Sequence, residues 1–313
     1  MIKNKKIAVV IPSFRVRKFL KQVVLDLPEF IDFIIVVDDK CPQKSYEVVL
    51  GLRGGIVVIN HKENLGVGGA VVSGYKKAIE LGADVVVKVD GDGQMDSSKI
   101  HKLIKPILDG KADYTKGNRF RDFKALKSMP KVRLFGNSAL SFLIKIASGY
   151  WSIMDPTNGF TAINRESLEE LELDKLSKRY FFESDMLINL NIENKVVKDI
   201  PIPAKYADEE SSLNVGKILY QFPPKIAKGF LKRVFLKYFI YDFNMASIYT
   251  IFGFPMVVFG VIFGAVKWYE SVISGMEATT GTVMLSVLPI ILGVQFLLQA
   301  INIDISSEPK DKI

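Results

Sequence analysis

Short apolar runs alternate with helical patterns through residues 1–212. Runs rich in valine and isoleucine predict four strands, Ile7–Ile11, Phe33–Val37, Ile56–Ile59 and Val85–Val89. Between them, Val16–Leu27 and Gly69–Leu81 carry apolar residues at helical spacing. Strands that are apolar on both faces and separated by helices are typical of a parallel sheet covered on both sides. The pattern therefore predicts an α/β domain with a mostly parallel sheet.

Two much longer apolar segments lie near the carboxyl end. Ala246–Val266 and Thr282–Ile303 hold 21 and 22 residues without a charge. Each is long enough to cross a hydrocarbon core of roughly 30 Å as a helix. Two buried helices in a soluble protein are the alternative, although soluble helices average only about 11–12 residues. We therefore expect two transmembrane helices within residues 245–305, joined by a short outer loop, with a tail at 306–313.

Charged residues around these segments predict an orientation. Basic residues precede the first span, namely Lys217, Lys225, Lys228, Lys232, Arg233 and Lys237. The loop Lys267–Gly281 carries one lysine and two glutamates. The positive-inside rule then places residues 1–245 and the tail in the cytoplasm, in an integral protein of the cell (inner) membrane. The first apolar run has only five residues before Pro12, which predicts no signal peptide.

Residues 213–244 form a segment of a different kind. Apolar side chains recur every four residues among lysines, at Ile218, Phe222, Ile226, Phe230, Val234 and Tyr238. This pattern favours amphipathic juxtamembrane helices that lie on the membrane surface. A solvated helix packed on the first domain is the alternative.

The charge balance and the few cysteines and histidines narrow the possible partners. Forty-two Lys and Arg against 34 Asp and Glu give a net charge of +8. Nucleic acid, anionic lipid or a phosphorylated ligand would suit a basic chain, but the clustering of basic residues beside a span favours lipid over nucleic acid. One cysteine and two histidines exclude an internal disulfide and a cysteine zinc site. A metal here would be a hard cation held by oxygen.

The segment Asp90-Gly91-Asp92-Gly93-Gln94-Met95-Asp96 follows the last predicted strand. Two carboxylates two residues apart can reach one Mg²⁺ or Mn²⁺, and the intervening glycine lets the backbone turn tightly. A surface turn is the plain alternative. An EF-hand loop fits less well, because its twelfth position would be His101 instead of glutamate.

Glycines cluster in a second segment, Asn64-Leu65-Gly66-Val67-Gly68-Gly69-Ala70. A dinucleotide fingerprint would need glycine at Val71, so that interpretation is weak. The glycines instead permit a tight loop and close packing, or bring backbone N–H groups near a phosphate.

Six segments, taken in order, resemble family 2 glycosyltransferases of the GT-A fold, a Rossmann-like α/β fold. They are Val9–Phe14, Val36–Asp39, Asn64–Ala70, Asp90–Gln94, Gly117–Phe120 and Asp155–Phe160. The resemblance is to the branch of dolichyl-phosphate mannosyltransferase and bacterial polyprenyl-phosphate glycosyltransferases, which also carry membrane spans. It implies a membrane-bound, inverting enzyme that moves a sugar from a UDP- or GDP-sugar to undecaprenyl or dolichyl phosphate, with Mg²⁺ or Mn²⁺. Related enzymes also imply self-association as a possible homo-oligomer.

The resemblance implies roles for individual residues. Those expected to contact the nucleotide are Pro12, Ser13, Asp39, Asn64, Gly68 and Asp90. Those expected to hold the metal are Asp90, Asp92 and Gln94. Those expected at the catalytic centre are Asp92, Arg119, Arg133, Asp155 and Glu183, where the arginines grip phosphates and the last two carboxylates orient the acceptor or act as base.

Three departures from the family pattern affect the donor and the nucleotide loops. Phe14-Arg15 stands where the family often has Tyr-Asn, and Lys40-Cys41-Pro42 replaces the usual Gly-Ser after Asp39. Tyr206 and Ser212 occupy positions where mannosyltransferases tend to carry arginine and lysine. GDP-mannose is therefore a doubtful donor.

Three other functions stay open at this point. A family 2 enzyme acting on another membrane or glycan acceptor has the same motifs. A processive polysaccharide synthase would need a QxxRW motif, which precedes neither Trp151 nor Trp268. An inactive membrane scaffold of the same fold is disfavoured by the intact Asp90-Gly91-Asp92.

Overall fold

The computed structural model describes residues 2–119, 131–202 and 215–310, with only the backbone at 131–135, 137 and 215–219. The chain divides into two compact units, residues 1–233 with 309–313, and residues 234–308.

The described residues of the first unit contain seven strands: β1 Ile7–Ser13, β2 Phe33–Asp38, β3 Ile56–Asn60, β4 Val85–Lys88, β5 Tyr114–Asn118, β6 Thr161–Asn164 and β7 Val197–Pro201. The four strands predicted from apolar runs are all present.

The strands form one sheet in the order β3-β2-β1-β4-β6-β5-β7. Neighbours pair in parallel except β6, which runs antiparallel to both β4 and β5. The prediction of a mostly parallel α/β sheet is thus confirmed. Since β6 runs the opposite way, its first residue lies at the edge where β4 and β5 end, and the segment before it reaches that edge too.

Helices of the first unit cover the sheet and complete the domain. They are α1 Arg17–Leu25, α2 Val67–Glu80, α3 Ile100–Leu108, α4 Lys131–Ser148, α5 Arg165–Glu170, α6 Phe182–Ile192 and α7 Val215–Phe235, whose last two residues belong to the second unit. Alternate β1 residues, such as Val9 and Ile11, pack in one core with Leu20 of α1 and Leu103 of α3. On the opposite face Val10 packs against Gly74 of α2, where an added Cβ would overlap the valine. Both faces are buried, which explains the continuous apolar runs.

Helix α7 packs one face on the first unit. Phe222 meets Phe181 edge to face at 5.3 Å between ring centroids. Arg233 is fully buried, and its guanidinium donates to the last carbonyls of α4, at 2.8 Å to Ala147 O and 3.0 Å to Ile146 O. A cation at the carboxyl end of a helix donates to carbonyls that lack a partner within the helix, and it also interacts favourably with the helix dipole. Residues 215–233 thus adopt the alternative in which the helix packs on the first domain. The opposite face of α7 includes the exposed Tyr220, and its contact with a membrane stays a prediction.

The second unit contains the two predicted spans, as α8 Met245–Ser274 and α9 Thr280–Ser306. Both helices are long and apolar enough to cross a membrane, and only 11% and 6% of their apolar windows are buried. So little burial disfavours core helices of a soluble domain. The two helices pack on each other through small residues: an added Cβ at Gly293 would lie 2.7 Å from Gly253 O.

Candidate active site

The polar residues predicted from the motifs lie at one edge of the sheet. Ser13 and Asp38 are the last residues of β1 and β2, and they pair in register. Asp90 follows β4, Arg119 follows β5, and Asp155 precedes the antiparallel β6. In parallel α/β sheets the carboxyl ends of the strands form the ligand-binding edge.

Asp39 is buried and holds the glycine-containing loop in place. Its carboxylate accepts from the backbone N–H of Leu65 at 2.8 Å, from that of Gly66 at 2.7 Å and from His61 Nδ1 at 2.8 Å. Its carbonyl accepts from the Asn64 side chain at 3.1 Å. The Asp39 and Asn64 side chains therefore position this loop, a role that the motifs alone did not indicate. Direct contact of either with a nucleotide stays a prediction.

Two buried polar atoms near Asp39 have no partner among the described residues, Ser13 Oγ and Asp38 Oδ2. The other Asp38 oxygen accepts from the Cys41 N–H at 2.8 Å. Burial raises the pKa of Asp38 above its usual range, although this hydrogen bond opposes the shift. Buried polar groups are nearly always satisfied. Both atoms are inaccessible in this structure, so contact of Pro12 or Ser13 with a nucleotide stays a prediction.

The departures from the family pattern at Arg15 and Lys40 have a conformational meaning. Both residues have positive φ, 58° and 54°. Asparagine and glycine, the family's residues here, enter this left-handed region more easily. The two loops are joined by a hydrogen bond from Arg15 N–H to Cys41 Sγ at 3.1 Å. The backbone shape is thus kept although the favoured residues are absent.

The glycines at the start of α2 serve close packing. An added Cβ at Gly66 would lie 2.7 Å from Lys178 O, and one at Gly68 would overlap Ser177 O. The Gly69 N–H donates to Lys178 O at 3.0 Å. The N–H groups of Leu65 and Gly66 donate to Asp39, so three N–H groups of this loop already have protein acceptors, which favours the packing interpretation over a phosphate cradle. Gly68 is buried under this segment, and its predicted nucleotide contact has no support in the packing.

Asp90 belongs to a buried ionic cluster. Lys88, only 1% exposed, donates from Nζ to Asp90 Oδ1 at 2.8 Å and to Glu183 Oε1 at 3.0 Å. Burial lowers the pKa of Lys88, but the two carboxylates more than offset this and raise it above its ordinary value. The ammonium therefore stays charged. Glu183 is paired with this lysine, and its predicted role as a base or acceptor ligand stays a prediction.

The side chains of Asp90, Asp92 and Gln94 carry the kind of oxygen that a hard cation prefers. Asp92 Oδ1 accepts from the Gln94 N–H at 3.0 Å, which folds the turn back on itself. Among the described residues no three Asp, Glu, His or Cys side chains converge on one point. Mg²⁺ and related ions bind through one or two carboxylates and complete their shell with water and phosphate oxygens. Asp90, Asp92 and Gln94 can supply the protein's share of these ligands. Phosphate oxygens of a bound ligand, together with water, would complete the coordination shell.

Arg119 and Asp155 form a two-pronged ion pair. Arg119 Nε lies 2.7 Å from Asp155 Oδ2, and a second guanidinium nitrogen lies 3.0 Å from Oδ1. Asp155 is fully buried, whereas the Arg119 side chain is 43% exposed. A bidentate pair fixes the plane of the guanidinium, so the exposed face of Arg119 is aimed by Asp155. The side chain of Arg133 lies outside the described residues, as do Tyr206 and Ser212.

Two further charged residues beside this pair were missed from the sequence. Lys116 is fully buried and donates to Asn158 O; burial lowers its pKa to about 8, although nearby Glu183 and Asp155 oppose the shift. Asp199 accepts at one oxygen from Asn118 Nδ2 at 2.8 Å and from the Met154 N–H at 2.7 Å. Asp199 thereby links Asn118, which precedes Arg119, to Met154, which precedes Asp155.

Replacing Gly159 by alanine is expected to reduce activity by about 100-fold, the usual scale for a small misplacement at a reacting centre. An added Cβ would overlap Lys88 Nζ and lie 2.7 Å from Asp90 Oδ2, so the ion pair would have to shift. Initial rates with purified protein measure this. Gly54→Ala is the control for a glycine change with open space around the Cβ and no positive φ. Equal rates for Gly159→Ala and wild type would contradict the expectation.

The charge of Asp199 is expected to make stability depend on pH. Burial raises its pKa to about 6, so the folded state holds a proton that the unfolded chain releases near pH 4. Folding stability contributed by this group is therefore full below pH 4 and lost as the pH rises through 6. Relative to Asp199→Asn, wild type should lose about 2 kcal/mol between pH 4 and 7. Unfolding in detergent at several pH values measures the difference, and parallel curves for the two proteins would refute it.

Comparison with known proteins relates this geometry to a family. The sequence profile of glycosyl transferase family 2 matches residues 8–172. A UDP-N-acetylglucosamine–dolichyl-phosphate N-acetylglucosaminyltransferase of Methanococcus voltae is 33% identical, over 66% of this chain and 88% of that protein. A dolichol-phosphate mannosyltransferase of Pyrococcus furiosus is 27% identical, over 69% of this chain and 61% of that protein.

Solved structures with the same fold are more distant in sequence. Glucosyl-3-phosphoglycerate synthase of Mycobacterium tuberculosis, solved with Mn²⁺, UDP and glucosyl-3-phosphoglycerate, superposes with a TM-score of 0.55 at 17% identity. The match covers 74% of this chain and 80% of that one. The likeness shows the GT-A fold of the first unit.

Proposed function

The chain belongs to glycosyl transferase family 2, and on that premise we propose that it transfers a sugar from a nucleotide sugar to a polyprenyl phosphate at a membrane. The single observation that carries the proposal is the arrangement of Asp90, Asp92 and the Arg119–Asp155 pair at one edge of the sheet. That edge combines oxygen ligands for a cation with an aimed guanidinium. Such a pair of groups suits the two phosphorylated ligands that this transfer brings together.

The donor we propose is a UDP-sugar, with UDP-N-acetylglucosamine first. The relative that matches at 33% identity is named for that donor and for dolichyl phosphate. The late segment also departs from the mannosyltransferase pattern at Tyr206 and Ser212.

The two apolar helices support a lipid-linked acceptor. They fit a membrane anchor, which keeps the enzyme where a polyprenyl phosphate resides. The basic residues before α8 favour the cytoplasmic side for the first unit, by the positive-inside rule. Both the side of the membrane and the acceptor are part of the proposal.

The mechanism we propose is one inverting displacement. The acceptor phosphate is already anionic at neutral pH, so its oxygen attacks the anomeric carbon without strong help from a base. A divalent ion held by Asp90, Asp92 and Gln94 would stabilise the charge on the leaving diphosphate. Arg119, aimed by Asp155, grips a phosphate oxygen and aligns the reactants. Glu183 acts through Lys88, since the two are paired, and is not needed as a base.

A donor screen tests this function. Purified full-length protein is incubated in detergent with polyprenyl phosphate, Mn²⁺ or Mg²⁺, and one radiolabelled UDP- or GDP-sugar at a time. We expect label to enter the lipid phase with a UDP-sugar, first with UDP-N-acetylglucosamine, and only when the lipid carries a phosphate. Polyprenol without phosphate is the matched control acceptor. Transfer to a water-soluble acceptor instead, with none to lipid, would overturn the proposed acceptor.

A further inference from the structure

Lys88 is a charged residue at the end of a buried strand. It is the last residue of β4 and pairs in register with Val10 on β1 and Thr161 on β6. Its side chain is 1% exposed, and the backbone at Gly159 closes over its ammonium so tightly that a Cβ there would overlap Nζ. An ion this deep stays only if it is fully paired. Lys88 therefore needs its carboxylate partners in order to stay charged and buried at this site.

The partners of this ammonium are both functional candidates. One is Oδ1 of Asp90, in the proposed metal motif, at 2.8 Å; the other is Oε1 of Glu183, at the start of α6, at 3.0 Å. Ninety-five residues separate the lysine from this glutamate. Lys88 thus joins the motif after β4 to the first turn of α6, which is far away along the chain, and it holds one oxygen of Asp90 in a fixed direction.

A divalent ion on Asp90 would share that carboxylate with the ammonium. Two cations bound to the same carboxylate repel each other, and in a poorly hydrated site the repulsion is screened weakly. No third acidic, histidine or cysteine side chain among the described residues adds to Asp90 and Asp92. The protein by itself therefore offers a divalent ion few ligands and a nearby positive charge. A nucleoside diphosphate adds negative charge and phosphate oxygens, and both effects favour the ion.

We propose that Lys88 is a positioning residue that keeps the metal site weak until a nucleoside diphosphate is present. The ammonium orients Asp90 and opposes binding of a divalent ion to the empty enzyme. This inference rests on the metal role within the proposed function. Its functional result is that the ion enters and leaves together with the nucleotide, so the product diphosphate is not retained by a tightly held metal.

The experiment measures Mn²⁺ binding directly, with no turnover. Electron paramagnetic resonance reports free Mn²⁺ during titration of the full-length protein in detergent, without nucleotide and with saturating UDP. The proteins are wild type, Lys88→Met, Lys88→Arg and Asp92→Asn. Methionine keeps much of the length of lysine and removes the charge, while arginine keeps the charge.

In the absence of UDP, Lys88→Met is expected to bind Mn²⁺ about tenfold more tightly than wild type, because a competing cation is gone. Lys88→Arg should bind as weakly as wild type. The gain in affinity on adding UDP should be large for wild type and smaller for Lys88→Met. Steady-state rates of Lys88→Met should fall in kcat because Asp90 is no longer oriented, whereas a merely structural role would lower thermal stability without tightening the metal.

Lys88→Met that binds Mn²⁺ no more tightly than wild type would overturn the inference. If Asp92→Asn also binds like wild type, the metal site of the proposed function is wrong; if Asp92→Asn loses binding, only the role of Lys88 is wrong. Should Lys88→Met fail to fold, Lys88→Gln takes its place, and the same tightening is expected. Equal Mn²⁺ affinity of wild type with and without UDP would also overturn the inference.

Discussion

Asp92→Asn is expected to reduce sugar transfer by about 1,000-fold, the upper range for removing one electrostatic stabiliser of a transition state. Asp92 supplies one of only two carboxylates in the proposed metal motif. An amide carries no charge, so the ion that stabilises the leaving diphosphate would be held poorly. The asparagine oxygen can still accept from the Gln94 N–H, a contact of 3.0 Å in the native turn, and the fold should persist. Initial rates of label transfer to lipid at saturating Mn²⁺ measure the loss.

Asp96→Asn is the matched control for this change. Asp96 lies in the same segment, and its carboxylate accepts from the Ser98 N–H at 3.1 Å to begin the short 3₁₀ turn Ser97–Lys99. Asparagine caps such turns about as well as aspartate. Asp96→Asn should therefore retain activity within about threefold, close to the few tenths of a kcal/mol expected for a surface change. Full activity of Asp92→Asn, with a normal unfolding curve, would reject the metal role.

Asp155→Asn is expected to lower kcat by about 100-fold, because misplacing a catalytic group by a small distance costs that much. Asp155 is fully buried and holds Arg119 through two contacts, at 2.7 and 3.0 Å. An amide accepts at only one atom and carries no charge, so the guanidinium loses its fixed plane. Arg119 is partly exposed and stays solvated, so the folded state should survive. Rates measured against both donor and acceptor concentration separate kcat from KM.

The exposed pair Arg165–Glu169 provides the control for that experiment. Its Nε–Oε1 distance is 2.6 Å, but both side chains are more than 40% exposed, and α5 follows β6 at the opposite edge of the sheet, where β4 begins. Surface pairs contribute between about zero and 1 kcal/mol. Glu169→Gln should therefore leave both activity and unfolding nearly unchanged. If Asp155→Asn loses stability but retains its rate, Arg119 does not need its partner for catalysis.

How far the sequence predicts the fold depends on how apolar each element is. The strands β1 to β4 are runs of valine and isoleucine, and they were predicted within a few residues of their observed ends. β5, β6 and β7 read YTKGN, TAIN and VKDIP, too short and polar for their pattern to stand out. Their polar residues include Lys116 and Asp199, which belong to the site edge. The strands that were missed therefore carry the two charged residues of this edge that the sequence analysis also missed.

Some residues of the site carried a signal that the motif analysis left unused. Lys88 interrupts an otherwise β-branched strand two residues before Asp90, and a charge inside a buried strand needs a partner. Nothing in the chain near Lys88 indicates that this partner is Glu183. Asp39 was expected to contact the nucleotide, and that contact stays a prediction. In the structure its carboxylate accepts from the N–H groups of Leu65 and Gly66 and so holds their loop.

The amino-acid sequence alone determined the α/β class, the two long apolar helices and the order of the motifs, because each depends on periodicity or composition within one segment. The tertiary structure alone decided which charges meet. Arg119 reaches Asp155 because antiparallel β6 lies between β4 and β5 and begins at the edge where they end, and Lys88 reaches Glu183 because the first turn of α6 lies against its ammonium. Such pairs join residues far apart in the chain, and their geometry follows from the strand order, which no local pattern encodes.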